Sequence, residues 1–341
     1  MKKSSMLSAV FVGSQEIRLE HRPLPAPGIN NVLIQVEYVA ICGSDQVRFW
    51  DSGDVRQEPI ILGHEFSGRI ASVTYHERLA TGQYVTIAPL FNCGVCEFCR
   101  AGLENMCPKR TRFGVAVDGA LQEYVSVPVD RVYSLPTNIS LAEGSLIEPL
   151  AVAYHTVCRA GRPVGEGALV LGAGAIGLLI AQVWRALGFG YIAILDLDPA
   201  RLDVAERLGF PVWRELPTES SFHTIFEATG SAQAFSKWLP SLAPRGKVIV
   251  VSKLEEGAAI DWVDLLRKEG EIITSRYFTL ADFQNSIDLV EMGVIQLNPL
   301  IGLIVPLEIL SEKQGAEVMS LAKGVVRLLV RANKSVESEN V

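Results

Sequence analysis

Four of the six cysteines in this chain lie close together, in the stretch CGVCEFCRAGLENMC at residues 93–107. The spacing C-x2-C-x2-C-x7-C lets four thiolates close a tetrahedral shell around Zn2+, with no position left for water or substrate. We therefore expect a structural zinc site formed by Cys93, Cys96, Cys99 and Cys107. Spacing alone leaves two alternatives open. One is an iron–sulfur cluster with the same ligands. The other is a nucleic-acid-binding zinc finger, which usually has two separated pairs and a basic surface, and this chain has neither.

A second set of metal-binding side chains is scattered over the first 150 residues. Cys42 lies in ICGSD, His64 and Glu65 lie in GHEFSG, and Glu148 lies in IEPLA. One thiolate, one imidazole and one or two carboxylates would form a mixed zinc site with a position open to water or an alcohol oxygen. Each residue alone has an ordinary structural explanation: a small buried cysteine, a core histidine, and an acid before Pro149. The set becomes a site only if the fold brings its members together.

A glycine-rich loop, VLGAGAIG, has the spacing G-x-G-x-x-G between a predicted strand and a predicted helix. In that context the first glycine makes a tight turn, the second lets a pyrophosphate approach the backbone, and the third lets the helix pack on the strand. The N–H groups of the helix N-terminus would bind the phosphates. The predicted dinucleotide loop comprises Gly172, Gly174, Ala175, Ile176 and Gly177.

An acidic residue, Asp196, ends the next predicted strand, in YIAILDLD. A carboxylate there accepts hydrogen bonds from a ribose 2'-hydroxyl and repels a 2'-phosphate, which favours NAD over NADP. Arg201 lies near enough in the sequence to weaken that preference slightly. The alternative is a glycine-rich turn that binds no nucleotide, and strand, loop, helix and acid together argue against it.

The elements that must position these residues fall into two classes. Short alternating segments such as VLIQVEYVA, EYVSVP and RVYSLP predict that residues 1–150 are mostly β-strand. From EPLAVAYHTVCRAG onward, strands and helices alternate, which is typical of a parallel sheet. We predict an α/β dinucleotide-binding domain with a doubly wound parallel sheet at residues 151–290. It would be inserted into a β-rich domain formed by residues 1–150 and 291–341.

Composition excludes several classes of function. The net charge of −7 and the pI near 5.4 argue against nucleic acid as a partner. The N-terminal apolar run is too short for a signal peptide, and ALVLGAGAIGLLIAQVW is too short and too rich in glycine for a membrane span. We therefore expect a cytoplasmic protein without a membrane partner, in a compartment where clustered cysteines bind metal. The polar tail NKSVESENV is the one segment expected to be disordered.

The motifs CGSD, GHEFSG, the four-cysteine loop, EPLA and VLGAGAIG stand in the order and approximate spacing of the zinc-dependent medium-chain alcohol dehydrogenases. The chain most resembles their polyol and sugar-alcohol branch, which includes sorbitol, galactitol-phosphate and threonine dehydrogenases. The likeness runs from near the start to about residue 330. It implies a GroES-like β-rich catalytic domain, a Rossmann domain for NAD, one catalytic and one structural zinc, and a homodimer or homotetramer.

The resemblance also implies roles for individual residues. Cys42, His64 and a carboxylate from Glu65 or Glu148 would hold the catalytic zinc. Asp45 matches the acid that in the family orients the imidazole of the zinc-binding histidine, here His64. Ser44 matches the hydroxyl that takes the substrate proton.

Three positions depart from the family, and the role of a fourth is open. Val47 replaces a histidine that often continues the proton relay, and Gln83 stands where a GD turn usually has aspartate. GLIVPLE, near residue 305, lacks the basic residue that often precedes its proline. The RY pair appears as Arg276 and Tyr277, so Arg276 would face substrate or cofactor, or be a surface arginine.

The function implied is the interconversion of a secondary alcohol and its ketone with NAD as the hydride acceptor. The expected substrate is a small molecule: a polyol, a sugar alcohol or its phosphate. Two alternatives are a non-catalytic nucleotide-binding member of the same fold and a dehydrogenase of another alcohol, such as an amino alcohol or threonine. A zinc-free reductase of the same superfamily is disfavoured by Cys42, Ser44, His64 and Glu148 together.

Overall fold

The structure is a computed structural model that describes residues 4–13, 15–26, 28–50, 58–74, 76–163, 165, 167–311 and 315–333. Residues 334–341, most of the tail predicted to be disordered, lie outside the described residues. The chain divides into two compact units, one of Met1–Glu148 with Ile301–Val341 and one of Pro149–Leu300. In the described part of the chain, no helix has both the length and the apolar character needed to cross a membrane.

The first unit is mostly β-structure. Its strands are β1 (Ser5–Gly13), β2 (Glu16–Pro23), β3 (Asn31–Ala40), β4 (Ile60–Ile61), β5 (Glu65–Val73), β6 (Tyr84–Ile87), β7 (Leu90–Phe91), β8 (Thr111–Arg112), β9 (Tyr124–Pro128), β10 (Val132–Ser134), β17 (Ile301–Pro306) and β18 (Arg327–Arg331). Its helices are α1 (Gly43–Trp50), α2 (Glu97–Arg100), α3 (Leu141–Gly144) and α10 (Gly315–Leu321). Helix α4 (Ile147–Ala160) begins here and continues into the second unit.

The largest sheet of this unit has the order β10-β6-β5-β3-β18-β17, and β9 also pairs with β3. Two smaller sheets, β2-β1-β4 and β7-β8, complete it. Strand β3 pairs antiparallel with both β5 and β18. Residues from both ends of this unit's sequence therefore share one sheet, and the core packs against the apolar faces of β1, β3, β5 and β18.

The second unit contains a six-stranded parallel sheet. Its strands are β11 (Ala168–Leu171), β12 (Ile192–Leu195), β13 (Val212–Trp213), β14 (Phe222–Glu227), β15 (Leu242–Val250) and β16 (Glu271–Thr274). Its helices are most of α4, then α5 (Ala175–Ala186), α6 (Pro199–Arg207), α7 (Ala232–Trp238), α8 (Trp262–Arg267) and α9 (Leu280–Glu291). The fully buried runs ALVL and IAIL form β11 and β12, as expected of strands covered on both faces.

The strand order of this sheet is β13-β12-β11-β14-β15-β16, with every pairing parallel. This is the 3-2-1-4-5-6 order of the doubly wound Rossmann fold, in which the order reverses beside the first strand. The predicted fold class, a Rossmann sheet together with a β-rich domain, is confirmed.

The second unit extends to Leu300, about ten residues beyond the boundary predicted at residue 290. Residues 294–297 have no regular secondary structure. Instead, Gln182 on α5 binds the backbone there twice: its Oε1 accepts from Gln296 N at 2.7 Å, and its Nε2 donates to Gln296 O at 3.1 Å. These hydrogen bonds hold residues 291–300 against α5.

Candidate active site

Pairing between two strands brings Cys42 close to His64 and Glu65. Cys42 lies between the end of β3 and the start of α1, and Glu65 begins β5. Ala40 of β3 pairs directly with Glu65, so the end of one strand lies beside the start of the other. The Cys42 Sγ, a His64 ring nitrogen and a Glu65 carboxylate oxygen all lie within 4.8 Å of one another. His64 and Glu65 are only 2% and 1% exposed, whereas Cys42 is half-buried.

Asp45 connects two members of the cluster. Its Oδ2 accepts a hydrogen bond from Cys42 N at 3.1 Å, and its Oδ1 lies 3.5 Å from His64 Nδ1. The second separation is too long for a strong hydrogen bond, so the contact is mainly electrostatic. Asp45 is itself 2% exposed. It stands beside the imidazole, and His64 Nδ1 is buried with no hydrogen-bond partner among the described residues.

Arg327, near the C-terminus, completes the surroundings of Glu65. Its Nη2 donates to Glu65 Oε1 at 2.9 Å, and its Nη1 donates to Ile41 O at 3.1 Å. The second oxygen of Glu65, Oε2, is buried and has no hydrogen-bond partner among the described residues. A buried carboxylate oxygen without a partner is costly. It is therefore free to bind a cation.

Glu148 lies outside the set of ligand atoms that are within 4.8 Å of one another. It stands in the first turn of α4 and is 5% exposed. Burial raises its pKa to about 7, although the nearby His64 opposes that shift. It is thus a buried acid close to the cluster, while Glu65 is the carboxylate within it.

The charges of this region are unbalanced. Burial raises the pKa of Glu65 well above its usual value, despite the neighbouring Arg327. Burial alone would raise the pKa of Cys42 as well, but His64 and Arg327 outweigh it and lower the pKa to about 5. For His64, burial lowers the pKa, and the negative charges of Asp45 and Cys42 reverse that effect and raise it.

Four acidic groups here face two guanidinium groups and the His64 imidazole, whose pKa is raised, so one negative charge remains when all seven groups are ionised. The groups are Cys42, Asp45, Glu65 and Glu148 against Arg327 and Arg112. When the His64 ring nitrogen binds a cation in place of a proton, two negative charges remain, which equals the charge of one divalent cation. Sulfur, nitrogen and oxygen donors in one cluster suit Zn2+. The residues present therefore fit the implied zinc ion.

Helix α1 carries two further predicted positions. Ser44 Oγ is buried and has no hydrogen-bond partner among the described residues. Val47, one turn along the same helix, is 51% exposed. The hydroxyl is therefore available to a ligand, and solvent is reached within one helical turn of it.

The four cysteines at residues 93–107 form the second cluster. Their ligand atoms also lie within 4.8 Å of one another. The separations are 3.4 Å for Cys96 Sγ to Cys99 Sγ, 3.6 Å for Cys107 Sγ to Cys93 Sγ and 3.9 Å for Cys93 Sγ to Cys99 Sγ. Sulfurs that bind one tetrahedral zinc at about 2.3 Å lie about 3.8 Å apart. This cluster therefore has the dimensions of a closed zinc shell.

The pKa values of two of these cysteines, Cys93 and Cys96, are shifted in opposite directions. Backbone N–H groups of Val95 and Cys96 lower the pKa of Cys93 to about 6. The Cys99 amide acts in the same direction on Cys96, but desolvation and the neighbouring thiols outweigh it and raise the pKa of Cys96 to about 11. Four thiolates in this space thus need a cation, as a metal shell provides.

The three glycines of the dinucleotide loop have distinct environments. Gly172 follows β11 with φ of +102°, and a Cβ there would lie 3.0 Å from Thr229 Cγ2. A Cβ on Gly177 would lie 1.9 Å from Gly172 O, so the helix could not pack so close with any other residue. A Cβ on Gly174 would meet nothing within 4 Å. The space beside Gly174, at the N-terminus of α5, is open for a pyrophosphate.

Ala175 and Ile176 lie in the first turn of α5, which has no side-chain cap, so their N–H groups suit an anion. Asp196 follows β12, and both of its oxygens bind the backbone: Oδ2 accepts from Ala173 N at 2.7 Å and Oδ1 from Asp198 N at 2.9 Å. Each oxygen retains a lone pair for a ribose hydroxyl. Arg201 pairs with Asp198, with Nε 3.5 Å from Oδ2.

Two remaining predicted positions have structural contacts. Gln83 Oε1 accepts from Ala80 N at 3.0 Å, and its Nε2 donates to Ser134 Oγ at 2.7 Å, so the amide replaces an aspartate as a turn residue. Arg276 lies over the Tyr277 ring, 4.8 Å from the centroid, and Tyr277 has a positive φ of 57°. A tyrosine in that conformation is uncommon.

Sequence reasoning did not identify Arg327 as part of the site. No local motif contains it, since it lies 262 residues from Glu65. The signal that could have found it is the arginine in the apolar run VVRLLVRA, because a charge inside a buried strand needs a partner.

Comparison with known proteins shows the family of the chain. Residues 28–137 match the family model of the alcohol dehydrogenase GroES-like domain, and residues 175–292 match that of the zinc-binding dehydrogenase. A 2-dehydro-3-deoxy-L-galactonate 5-dehydrogenase of Pseudoalteromonas atlantica is 30% identical over 89% of this chain and 92% of its own. D-xylulose reductase A of Aspergillus oryzae is 29% identical over 96% and 97%.

A solved structure from Sinorhizobium meliloti, assigned as a zinc-binding dehydrogenase and bound to NADP, superposes with a TM-score of 0.87. It is 26% identical and covers 96% of this chain and 100% of its own. The chain therefore belongs to the zinc-dependent medium-chain alcohol dehydrogenases, in their polyol dehydrogenase branch, and is an oxidoreductase that uses zinc and a nicotinamide cofactor.

Proposed function

We propose that this enzyme interconverts a secondary alcohol of a polyol, a sugar alcohol or its phosphate with the corresponding ketone, using NAD. The observation that carries this proposal is the buried cluster of Cys42, His64 and Glu65, with ligand atoms within 4.8 Å of one another. A protein that only bound nucleotide would gain nothing from a buried cluster with uncompensated negative charge.

Two zinc ions per chain are proposed, with different tasks. The catalytic ion would be held by Cys42, His64 and Glu65, with Glu148 as a nearby acid able to replace or assist Glu65. The structural ion would be held by Cys93, Cys96, Cys99 and Cys107. The separation of tasks rests on the donor sets, because four thiolates close a shell and a mixed set of three leaves a position open.

When bound, zinc supplies Lewis-acid polarisation that lowers the pKa of an alcohol, and nicotinamide supplies the hydride acceptor. The chain's own residues position the cluster and move the proton. Asp45 orients His64 and neutralises positive charge on its ring. Ser44 Oγ, buried and without a partner among the described residues, accepts the hydrogen bond of the substrate hydroxyl and passes its proton on. The Val47 side chain cannot relay a proton. We therefore propose that the proton passes from Ser44 directly to water, which is reached one helical turn away.

Asp196 supports NAD as the preferred cofactor. Its carboxylate is held in place by two backbone N–H groups and would repel a 2'-phosphate. The ion pair with Asp198 draws the Arg201 guanidinium away from the position of a 2'-phosphate. We further propose a homodimer or homotetramer by analogy with the family, which light scattering would test.

An activity screen tests the reaction. The purified protein with zinc and NAD is assayed against sugar alcohols, their phosphates, sugar acids and threonine, with NADH absorbance as the readout. Sugar acids belong in the panel because one relative is by name a 2-dehydro-3-deoxy-L-galactonate 5-dehydrogenase. Oxidation of at least one polyol or sugar derivative is expected. No turnover with any of them would show the proposed substrate class to be wrong.

Metal content tests the site independently of the substrate. We expect about two zinc ions per chain in the wild type and about one in Cys42→Ser, which should also lose turnover. Cys158→Ser is the matched control, because Cys158 is exposed and outside both clusters. It should keep both ions and full activity. A wild-type protein with one ion that is lost together with the four-cysteine loop would favour a non-catalytic nucleotide-binding protein.

A further inference from the structure

Glu227 is a fully buried acid that the proposed chemistry does not use. It is the last residue of β14, at the carboxyl end of the parallel sheet. Its neighbours across the sheet are Leu171, which precedes the glycine loop, and Val250, which ends β15. It therefore stands between the loops that leave three adjacent strands.

The carboxylate of Glu227 binds two of these loops. Its Oε1 accepts from Thr229 N at 2.7 Å, from Thr229 Oγ1 at 2.5 Å and from Gly230 N at 2.9 Å. Its Oε2 accepts from Ser252 Oγ, in the loop after β15. No ion pair of Glu227 occurs in the described part of the chain, so hydrogen bonds alone compensate its charge. A buried carboxylate held in this way fixes the groups that donate to it.

The loop that Glu227 holds packs directly on the glycine loop. A Cβ on Gly172 would meet Thr229 Cγ2 at 3.0 Å and the Ala228 carbonyl at 3.2 Å. A Cβ on Gly230 would meet Lys253 O at 3.2 Å. The three loops therefore form one contiguous surface at the carboxyl edge of the sheet, and Glu227 is its buried support.

The strand order indicates which half of a dinucleotide this surface faces. The glycine loop follows β11 and Asp196 follows β12, on the side where the adenosine half binds. Strands β14 and β15 lie across the point where the order reverses. The loops after them face the other half, the nicotinamide and its ribose.

We propose that Glu227 is a positioning residue for the nicotinamide half of the cofactor: it holds the loops at residues 228–230 and 251–253 in the conformation that receives it. This inference rests on the dinucleotide loop and not on the identity of the alcohol. It separates two functions along one sheet edge, with Asp196 serving the adenosine half and Glu227 serving the nicotinamide half.

Binding of NADH and of AMP distinguishes these functions. AMP carries only the adenosine half, so its affinity should depend on Asp196 and not on Glu227. For Glu227→Gln we expect the dissociation constant of NADH, measured by fluorescence titration, to rise about tenfold, because the neutral amide weakens the charge-assisted hydrogen bonds that hold the loops. The dissociation constant of AMP, measured by calorimetry, should stay within about twofold. The KM for NAD should rise while the KM for the alcohol changes little.

Ser252→Ala removes one donor to the same carboxylate and should raise the dissociation constant of NADH about three- to fivefold. Ser236→Ala is its matched control, because Ser236 is a half-buried hydroxyl of the same unit that accepts from Ala259 N. It should leave both ligands unaffected. If Glu227→Gln does not fold, the dissociation constants of NADH and AMP for Ser252→Ala are sufficient to test the proposal.

Three results would overturn the inference. Unchanged NADH binding in the folded variants would show that the loops need no such support. Equal weakening of NADH and AMP would show that Glu227 only stabilises the whole unit. Failure of the wild-type protein to bind either NADH or AMP would show that there is no dinucleotide site. The measurement on the wild type reveals this outcome before any variant is compared.

Discussion

Replacing Arg327 by glutamine should destabilise the first unit severely. Its guanidinium donates to Glu65 Oε1 at 2.9 Å and to Ile41 O at 3.1 Å, and the side chains of the ion pair are 8% and 1% exposed. Removing one partner of a buried pair leaves an uncompensated charge and typically costs about 3–5 kcal/mol of unfolding free energy. We expect a loss in that range for Arg327→Gln.

The assay is urea denaturation of the variant and the wild type, with zinc and with a chelator. The loss should be larger with chelator, because a bound divalent cation would compensate Glu65 in place of the guanidinium. Arg331→Gln is the matched control: Arg331 ends the same strand, is half-buried, and its backbone pairs with Tyr38 rather than near Glu65. It should change the unfolding free energy by less than about 1 kcal/mol.

A double-mutant cycle isolates the pair. The double variant Glu65→Gln, Arg327→Gln should lose less unfolding free energy than the sum of the losses of the two single variants, since the second substitution removes the charge left behind by the first. An unfolding free energy of Arg327→Gln within about 1 kcal/mol of wild type would refute the argument. So would full additivity in the cycle.

Three further outcomes are expected. Cys96→Ser should reduce zinc by about one ion per chain and lower the melting temperature, whereas Cys158→Ser should do neither; a variant as stable as wild type that lost turnover would contradict a structural role. Burial alone would raise the pKa of Asp282, but hydrogen bonds from His155 and Thr279 outweigh burial and lower that pKa. The contribution of ionised Asp282 to the unfolding free energy is therefore present above the unfolded-state pKa of about 4, and it is lost as the pH falls through the lower folded-state pKa. Asp282→Asn should thus cost about 1–2 kcal/mol at neutral pH and progressively less below pH 4 in denaturation curves, and a difference independent of pH would count against this. Asp196→Asn should raise the ratio of NADP to NAD turnover while keeping an oxygen that can accept from Ala173 N; an unchanged ratio would count against the ribose assignment.

The parts of the fold that the sequence predicts are those determined by local patterns. The runs ALVL and IAIL are apolar at every position because their strands are covered on both faces, and the structure buries all eight residues. The glycine loop is equally local, since Gly177 is required by the Gly172 carbonyl oxygen five residues away and Gly172 by its own positive φ. Periodicity and turn chemistry therefore predict the parallel sheet and its nucleotide edge.

Contacts between distant segments could not be predicted in the same way. The boundary at residue 300 depends on Gln182 binding Gln296, which is 114 residues away. Neither residue type indicates such a contact by itself, because glutamine is usually a surface residue. Arg327 and Glu227 were missed for the same reason: each acts through partners that pairing between strands supplies.

The two cysteine clusters differ in how far the sequence alone can predict them. The four thiols at residues 93–107 span so few residues that almost any compact loop brings them together, and a bound metal can itself organise that loop. Cys42, His64 and Glu65 meet only because β3 and β5 pair with Ala40 opposite Glu65. A shift of one residue in that register would turn Glu65 to the opposite face of the sheet and away from Arg327. The proposed catalytic cluster therefore depends on the register of the central sheet, and substitutions that disturb that register should abolish zinc binding there while leaving the four-cysteine site loaded.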